Sequence, residues 1–310
     1  MNKKQIFVNA SGLKTSSCIR RAHWHLTVRY RNKHSSVEAE FGKAVHTYIH
    51  TYRQTGGNSN ASLKAARDSF NAAVYPKKPK KAWMNTDRLE AACIFWQTHW
   101  LAANDDLVTL VGPDQKPITE LKFALPYWAN DNTEVILDGV IDDIARKGEK
   151  GSYCIRDYKT TQAWDIPTKL AEYRLDPQML FYYVVVEQYA KQYPTSIFAQ
   201  IYNTGFGTLV EGIFLKEYGE IKIQRSDMFF YDTETIEGFK RSLHTFIMRL
   251  VVEAENPAVP DPEGMLNGTC KFCDFRQVCG AVDSIAGEYV LQNNFVLKPS
   301  QTLTQETTTT

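Results

Sequence analysis

Two aspartates in neighbouring strand-like segments, Asp142 and Asp157, are the residues whose types and positions best suit chemistry. The connection Lys147-Gly-Glu-Lys-Gly151 lies between these segments and predicts a hairpin. If the turn is centred on Glu149 and Lys150, positions whose numbers sum to 299 face each other, which places Asp142 opposite Asp157 at ~5 Å between β-carbons. Carboxylates that close repel each other unless a cation lies between them, and their oxygens suit Mg²⁺ or Mn²⁺.

Lys159 adds a positive charge to this pair. It lies two positions after Asp157, so a strand places both side chains on the same face. The alternative is that Asp157 and Lys159 form a surface ion pair and that Asp142 only ends its strand. Acidic hairpins are common, so spacing alone leaves both interpretations open.

A second set of residues suits a softer metal centre. Three of the six cysteines, Cys270, Cys273 and Cys279, lie close together in the sequence. This spacing allows one short loop to bind a single metal centre through thiolates. A fourth cysteine is absent locally, and Cys18 is the candidate for that position.

Helices are predicted to precede strands along the chain. The first four predicted helices are at 16–30, 36–52, 60–74 and 85–103. Strand-like runs follow at 118–125, 134–146 and 152–158, then a helix at 174–190, runs that could add strands at 196–204, 208–216 and 222–231, and a helix at 233–254. This order predicts an α/β fold with a mixed central β-sheet flanked by helices.

One domain with additions is the organisation that these elements favour. Its predicted parts are N-terminal helices at 1–52, a helical insertion at 53–117, a core at 118–256, a cysteine segment at 257–285 and a tail at 286–310. The tail is polar enough to be disordered at least from about residue 300.

Composition indicates a folded protein with only local charge patches. The 310 residues are 43% hydrophobic and 23% charged, which excludes disorder as the dominant state. Because the net charge is only +1, a nucleic acid would have to bind local clusters. The candidates are Arg20, Arg21, Arg29, Arg31 and Lys33, or Lys77, Lys78, Lys80 and Lys81. The first residues lack the apolar stretch of a secretory signal, so a cytoplasmic location is expected.

Four motifs occur in the same order as in the PD-(D/E)xK nuclease superfamily and resemble those of its RecB-like branch. This resemblance implies a restriction-endonuclease-like core. The motifs are Gly42-Lys-Ala-Val-His46, Gly139-Val-Ile-Asp142, Asp157-Tyr-Lys159 and Gln178-x-x-x-Tyr182. The acidic residue that often follows the histidine motif is missing here, since His50 and Thr51 lie near that place.

The resemblance implies a role for each matched residue. It implies that the metal ligands are His46, Asp142, Asp157 and the carbonyl group of Tyr158. Lys159 would position or activate the attacking water, and Gln178 and Tyr182 would orient the nucleotide or that water. Alternatively, Tyr182 packs into the core as part of an apolar helix stripe, and His46 is an ordinary core or surface histidine.

The cysteine pattern resembles the iron–sulfur members of this branch, the CRISPR-associated exonucleases and AddB-type nuclease domains. The resemblance implies a 4Fe-4S cluster bound by Cys18, Cys270, Cys273 and Cys279 in a lobe that joins the N- and C-terminal segments. Ile19 replaces the proline usual after the first cysteine. Zn²⁺ is the alternative, because four thiolates suit it equally well.

These resemblances imply a metal-dependent DNA exonuclease of recombination, repair or CRISPR-type DNA processing. Its partners would be DNA, single-stranded or with free ends, and recombination or CRISPR-adaptation proteins. Two alternatives remain open: a cluster-bearing DNA-binding or adaptor subunit of a larger complex, and flap or endonuclease cleavage by the same site.

Overall fold

The computed structural model describes residues 3–14, 16–71, 81–103, 105–148, 150–163, 165–256, 258–260, 263–265, 268–281 and 284–298. The predicted disordered tail beyond about residue 300 lies outside this range, as do Lys77, Lys78 and Lys80 of the basic segment. Chain contacts divide the protein into two compact units. The first unit contains Met1–Lys33, Phe123–Gly139 and Glu237–Thr310, and the second contains His34–Lys122 and Val140–Ile236.

Nine strands are present in the described part of the chain. They are β1 (Lys4–Val8), β2 (Tyr30–Asn32), β3 (Leu107–Thr109), β4 (Thr119–Ala129), β5 (Thr133–Lys147), β6 (Tyr153–Thr161), β7 (Phe206–Phe214), β8 (Lys222–Arg225) and β9 (Phe295–Leu297).

The described α-helices are α1 (Ala10–Leu13), α2 (Ile19–Ala22), α3 (Val37–Gln54), α4 (Ser59–Asn71), α5 (Thr86–Ala103), α6 (Ile166–Glu172), α7 (Pro177–Gln192), α8 (Ile197–Thr204), α9 (Thr233–Glu255), α10 (Arg276–Cys279) and α11 (Ser284–Asn294). A π-helix spans His23–Val28, and 3₁₀ turns span Tyr173–Leu175, Glu263–Met265 and Thr269–Phe272. Within the described residues, no helix combines the length and apolar character needed to cross a bilayer.

The second unit is built on a mixed sheet with helices on both faces. Strand β5 pairs antiparallel with β3 and β6, β6 pairs parallel with β7, and β7 pairs antiparallel with β8. The ring of Tyr158 in β6 lies against Trp96 of α5, whereas its neighbour Asp157 contacts Tyr182 of α7. Because successive strand residues point to opposite faces, these contacts place α5 and α7 on opposite sides of the sheet. The predicted fold class is therefore confirmed.

The predicted register of the β5–β6 hairpin is confirmed where the ladder is formed. Asp143 pairs with Arg156, and the sum of these numbers is 299. Both side chains are fully buried and form an ion pair, with Arg156 Nε donating to Asp143 Oδ2 at 2.9 Å. Asp142 and Asp157 are the next residues along the two strands.

Three expectations for local structure are wrong, in whole or in part. Segment 196–204 is the helix α8 and not a strand, because Ser196 caps it through the backbone N–H of Ala199 and its apolar residues are buried along one face. The predicted helix at 16–30 is divided into α2 and the π-helix, and it ends at Arg29 with φ 69°. Of the run predicted at 222–231, only β8 forms a strand.

In the first unit, β1 pairs parallel with the first residues of β5, and β2 pairs antiparallel with β9. A small aromatic cluster of Trp24, Phe275 and Phe295 is buried beside this second sheet, with the rings of Phe275 and Phe295 stacked at 4.5 Å. The first unit thus has its own apolar contacts, which connect segments from both ends of the described chain.

Candidate active site

Helix α3 lies close against strand β6 and carries His46. Its first turn is capped by Ser36, whose hydroxyl accepts a hydrogen bond from the backbone N–H of Ala39 at 3.2 Å. Gly42, one turn before His46, lies close to β6, since a β-carbon there would lie 3.0 Å from Oγ1 of Thr160. The absence of a side chain at Gly42 therefore permits the position of the histidine.

His46, Glu120 and Asp142 bring one nitrogen and two carboxylate oxygens together. Nδ1 of His46 lies 3.3 Å from Glu120 Oε1 and 3.5 Å from Asp142 Oδ1, and the donor atoms of the three residues all lie within 4.8 Å of one another. Nε2 of His46 donates to the carbonyl oxygen of Tyr158 at 2.8 Å. Burial lowers the pKa of His46, but Asp142 and Glu120 outweigh it and raise this pKa well above its usual value.

Asp142 is fixed by the strand beside it. Its Oδ2 accepts a hydrogen bond from the backbone N–H of Tyr158 at 2.8 Å, which leaves Oδ1 towards His46. Burial raises the pKa of Asp142, but His46 and Lys159 outweigh this effect and lower it below its usual value. Asp142 is thus held as a carboxylate by the positive charges around it.

Asp157 is fully buried and has partners at both oxygens. Oδ1 accepts hydrogen bonds from the hydroxyl of Tyr182 and from Nε2 of Gln178, each at 2.8 Å, while Oδ2 lies 2.6 Å from Nζ of Lys159. Burial raises the pKa of Asp157, Lys159 lowers it, and the charge of Asp142 raises it, with a net increase. The negative charge at this position is therefore only partly compensated by the protein.

Gln178 connects the carboxylate of Asp157 to the ammonium group of Lys159. Its Oε1 accepts a hydrogen bond from Nζ of Lys159 at 3.0 Å, while its Nε2 donates to Asp157 and to the hydroxyl of Tyr182. Tyr182 is only 1% exposed, so it packs into the core, which was one of the two interpretations of the sequence. It also contacts Asp157, so the two interpretations are compatible. The structure places Gln178 and Tyr182 against Asp157.

Glu120 is the site residue that the sequence analysis missed. It lies on β4, 74 positions after His46, whereas the missing acid was sought close to the histidine on α3. His50, which lies near that place, instead contacts Oγ1 of Thr119 at 2.7 Å. The backbone of Glu120 has φ 51°, a left-handed conformation that is costly for a residue with a β-carbon and is concentrated at functional sites. An acidic residue in the strand-like run 118–125 was the available signal.

The donor set fits a divalent cation. Glu120, Asp142 and Asp157 supply carboxylates, His46 supplies an imidazole, and His46 and Lys159 are the positive charges that the described residues place in contact with these acids. Oxygen-rich sites with one imidazole suit hard and borderline divalent ions such as Mg²⁺ and Mn²⁺.

The four cysteines predicted to bind a cluster lie together in the first unit. Cys18, Cys270, Cys273 and Cys279 are free thiols that line one cavity of about 220 Å³. Arg21 and Arg276 also line this cavity. Among the described residues, only His46, Glu120 and Asp142 form a set of three metal-binding side chains with all donor atoms within 4.8 Å, so the cysteine sulfurs are more widely spaced.

A mixed sheet flanked by helices, with two aspartates and a lysine on adjoining strands, defines the class of restriction-endonuclease-like nucleases. A family model of the PD-(D/E)XK nuclease superfamily matches residues 10–280, and the chain belongs to this superfamily. Its members are nucleases that use divalent metal ions.

One solved structure to which the chain is similar is the crystal structure of SSO0001. The two chains are 12% identical, with a TM-score of 0.35, and the alignment covers 90% of this chain and 88% of the other. No curated protein matches the chain.

Proposed function

We propose that the protein is a Mg²⁺- or Mn²⁺-dependent deoxyribonuclease that removes nucleotides from DNA with free ends. The observation that carries this proposal is the convergence of His46, Glu120 and Asp142 within 4.8 Å, beside the strand that carries Asp157 and Lys159. Membership of the nuclease superfamily supports the chemistry. The substrate and the requirement for an end, in recombination, repair or CRISPR-type DNA processing, are the proposed additions.

The residues that would bind the divalent ion are His46, Glu120, Asp142, Asp157 and the carbonyl group of Tyr158. When bound, the ion would acidify a water molecule and neutralise charge at the scissile phosphate. The hairpin fixes Asp142 and Tyr158 relative to each other, because Asp142 accepts a hydrogen bond from the backbone N–H of Tyr158. His46 also contacts the carbonyl oxygen of Tyr158, so the helix and the hairpin position the same group.

Lys159 would supply charge to the reaction. Burial lowers the pKa of Lys159, but Asp157 and Asp142 outweigh this effect and raise the pKa above its usual value, which favours the ammonium form. Hydrolysis forms a bond between the water oxygen and phosphorus and breaks one phosphorus–oxygen ester bond. An ammonium group beside these atoms stabilises the negative charge that develops on the phosphate.

The test is cleavage of end-labelled single-stranded, end-labelled double-stranded and circular DNA with Mg²⁺, with Mn²⁺ and with EDTA. We expect metal-dependent loss of linear DNA only. Asp142→Asn and Asp157→Asn should each lower the rate by on the order of a thousandfold, because each removes a charged metal ligand. Asp68→Asn, at an exposed position of α4, is the matched control and should cleave like the unmodified protein.

Each alternative outcome contradicts a different part of the proposal. Cleavage of circular DNA would show an endonuclease. Binding of DNA without cleavage under every metal condition would show a binding or adaptor subunit. Normal rates in both aspartate variants would place the active site elsewhere.

We further propose that Cys18, Cys270, Cys273 and Cys279 bind a 4Fe-4S cluster. All four thiols line one cavity of about 220 Å³, which supports a multinuclear centre, and a single tetrahedral Zn²⁺ is the alternative. Arg21 and Arg276 at this cavity would offset the negative charge of a thiolate-bound cluster.

A further inference from the structure

Arg29 is a buried arginine in an unusual backbone conformation. It directly follows the π-helix with φ 69°, and its guanidinium carbon lies 3.8 Å from the centre of the Phe7 ring. The side chain is only 9% exposed, yet neither terminal nitrogen has a hydrogen-bond partner in the described part of the chain. Leaving such donors unsatisfied in a buried position is costly, so this geometry requires an explanation.

A second cation lies directly opposite Arg29. The backbone N–H of Lys298 donates to the carbonyl oxygen of Arg29 at 3.0 Å, which continues the pairing of β2 with β9 by one residue. Like charges at facing positions of two strands destabilise the pair. The two side chains share one carboxylate, since Oδ2 of Asp138 is 4.0 Å from Nη2 of Arg29 and 3.5 Å from Nζ of Lys298.

Arg31 adds a third positive charge to this cluster. Burial lowers the pKa of Lys298, Asp138 opposes this effect, and Arg31 and Arg29 lower the pKa further. The other oxygen of Asp138 accepts a hydrogen bond from Asn9 at 3.0 Å. Among the described residues, Asp138 thus pairs with two of these three cations, Arg29 and Lys298.

We propose that Arg29, Arg31 and Lys298 form a binding site for a phosphate group of the nucleic-acid backbone. This inference rests on the proposed nuclease function and adds a substrate contact that lies in the first unit. The guanidinium of Arg29 is held against Phe7 and would add its positive charge from below, while the more accessible Arg31 and Lys298 would contact the phosphate oxygens. The site would position the substrate and supply affinity, and it would take no part in bond cleavage.

The test is a salt titration of DNA binding by the full-length protein in EDTA, where cleavage is absent. Fluorescence anisotropy of a labelled oligo(dT) would give the binding constant at several salt concentrations. Each lost phosphate contact should reduce the slope of log K against log salt by about 0.7 for single-stranded DNA. We expect this reduction for Arg31→Gln and for Lys298→Gln, and a larger one for the double variant.

Arg241→Gln, at an exposed position of α9, is the matched control and should leave the slope unchanged. A melting curve of each variant would establish that it is folded, and Arg31 is exposed, so its replacement should not disturb the core. Slopes equal to that of the control in both Arg31→Gln and Lys298→Gln would overturn the proposal.

Inorganic phosphate provides a second arm that identifies the ligand. Competition by millimolar phosphate that is lost in Lys298→Gln, together with an unchanged DNA slope, would show a site for free phosphate and overturn the nucleic-acid assignment. Because binding is measured without metal, a failure of the proposed nuclease activity would leave the salt slopes of these variants unaffected, and the two outcomes are distinguishable.

Discussion

At the scale of single residues, the two helix residues of the candidate site act through other side chains. Gln178 and Tyr182 both contact Oδ1 of Asp157, and Gln178 also accepts a hydrogen bond from Lys159. We therefore propose that both helix residues position Asp157, and that Gln178 also positions the charged Lys159. Groups of this kind orient metal ligands, and their loss typically lowers metal affinity or activity by about 10–100-fold.

Replacing Gln178 by Leu should lower the cleavage rate by about 10–100-fold, because Asp157 loses a donor and Lys159 loses an acceptor. Tyr182→Phe removes only the hydroxyl contact to Asp157 and should have a smaller effect. Single-turnover cleavage at saturating metal concentration measures both. Gln192→Leu, at the exposed end of the same helix, is the control. A normal rate in Gln178→Leu would rule out the positioning role.

At the scale of elements, the closeness of α3 to β6 determines where His46 lies. Gly42 faces Thr160 with no room for a normal β-carbon contact, since 3.0 Å is shorter than the ordinary 3.4–4 Å. Glycine is otherwise unfavourable in a helix, by about 1 kcal/mol relative to alanine. Glycine at position 42 therefore permits the contact between α3 and β6, although it lowers the stability of the helix itself.

We expect Gly42→Ala to lower cleavage, because the new methyl group displaces α3 from β6 by a few tenths of an ångström and moves His46 with it. Adding Thr160→Ala removes the crowding oxygen and should restore much of the activity. Cleavage rates and melting temperatures of the single and double variants measure the effect. At Gly238 in α9 a β-carbon would meet Nη2 of Arg241 at 3.8 Å, an ordinary contact, so Gly238→Ala should stabilise the protein by up to about 1 kcal/mol. An equal loss in the single and double variants would contradict this explanation.

The hairpin and the missed glutamate show what local sequence determines. The register of β5 and β6 was predictable because a short turn and the two-residue period of strands fix which positions face each other. Helix α8 was mistaken for a strand because its short apolar run suits both periods, although Ser196 is a helix cap. Glu120 could not be linked to His46 because a contact across 74 positions depends on how β4 pairs and has no local pattern.

At the scale of the whole molecule, residues from both ends of the matched region meet in the first unit. Cys18 shares a cavity with Cys270, Cys273 and Cys279, and the backbone N–H of Ile19 donates to a carboxylate oxygen of Glu263 at 3.1 Å. A metal centre bound there would link Cys18 to Cys279 and so close a loop that contains most of the chain. Binding energy at such a site is also folding energy, since the unfolded chain has no such site.

Replacing Cys18 by Ser should therefore release the proposed cluster and lower the melting temperature of the anaerobically purified protein. Brown colour, visible absorbance, and iron and sulfide content measure the centre, and thermal unfolding measures the second effect. Cys93→Ala is the control: this thiol is fully buried in the second unit, where burial raises its pKa, and its loss should leave the iron content unchanged. Full iron content and stability in Cys18→Ser would contradict the four-thiolate site. A colourless protein that contains zinc would show that Zn²⁺, and not an iron–sulfur cluster, occupies the site.

The buried pair of Asp143 and Arg156 has a consequence for errors in strand alignment. Each candidate metal-binding aspartate of the hairpin has one of these residues as its neighbour in the chain, and the tyrosine hydroxyl of Tyr158 also donates to Asp143 at 2.8 Å. A slip of one residue between the strands would exchange the two faces, so that the buried carboxylate of Asp143 would lose its hydrogen bonds from Arg156 and Tyr158. Stranding a buried charge costs about 3–5 kcal/mol. A misaligned hairpin, which would separate the two aspartates, is therefore disfavoured whether or not a metal is present.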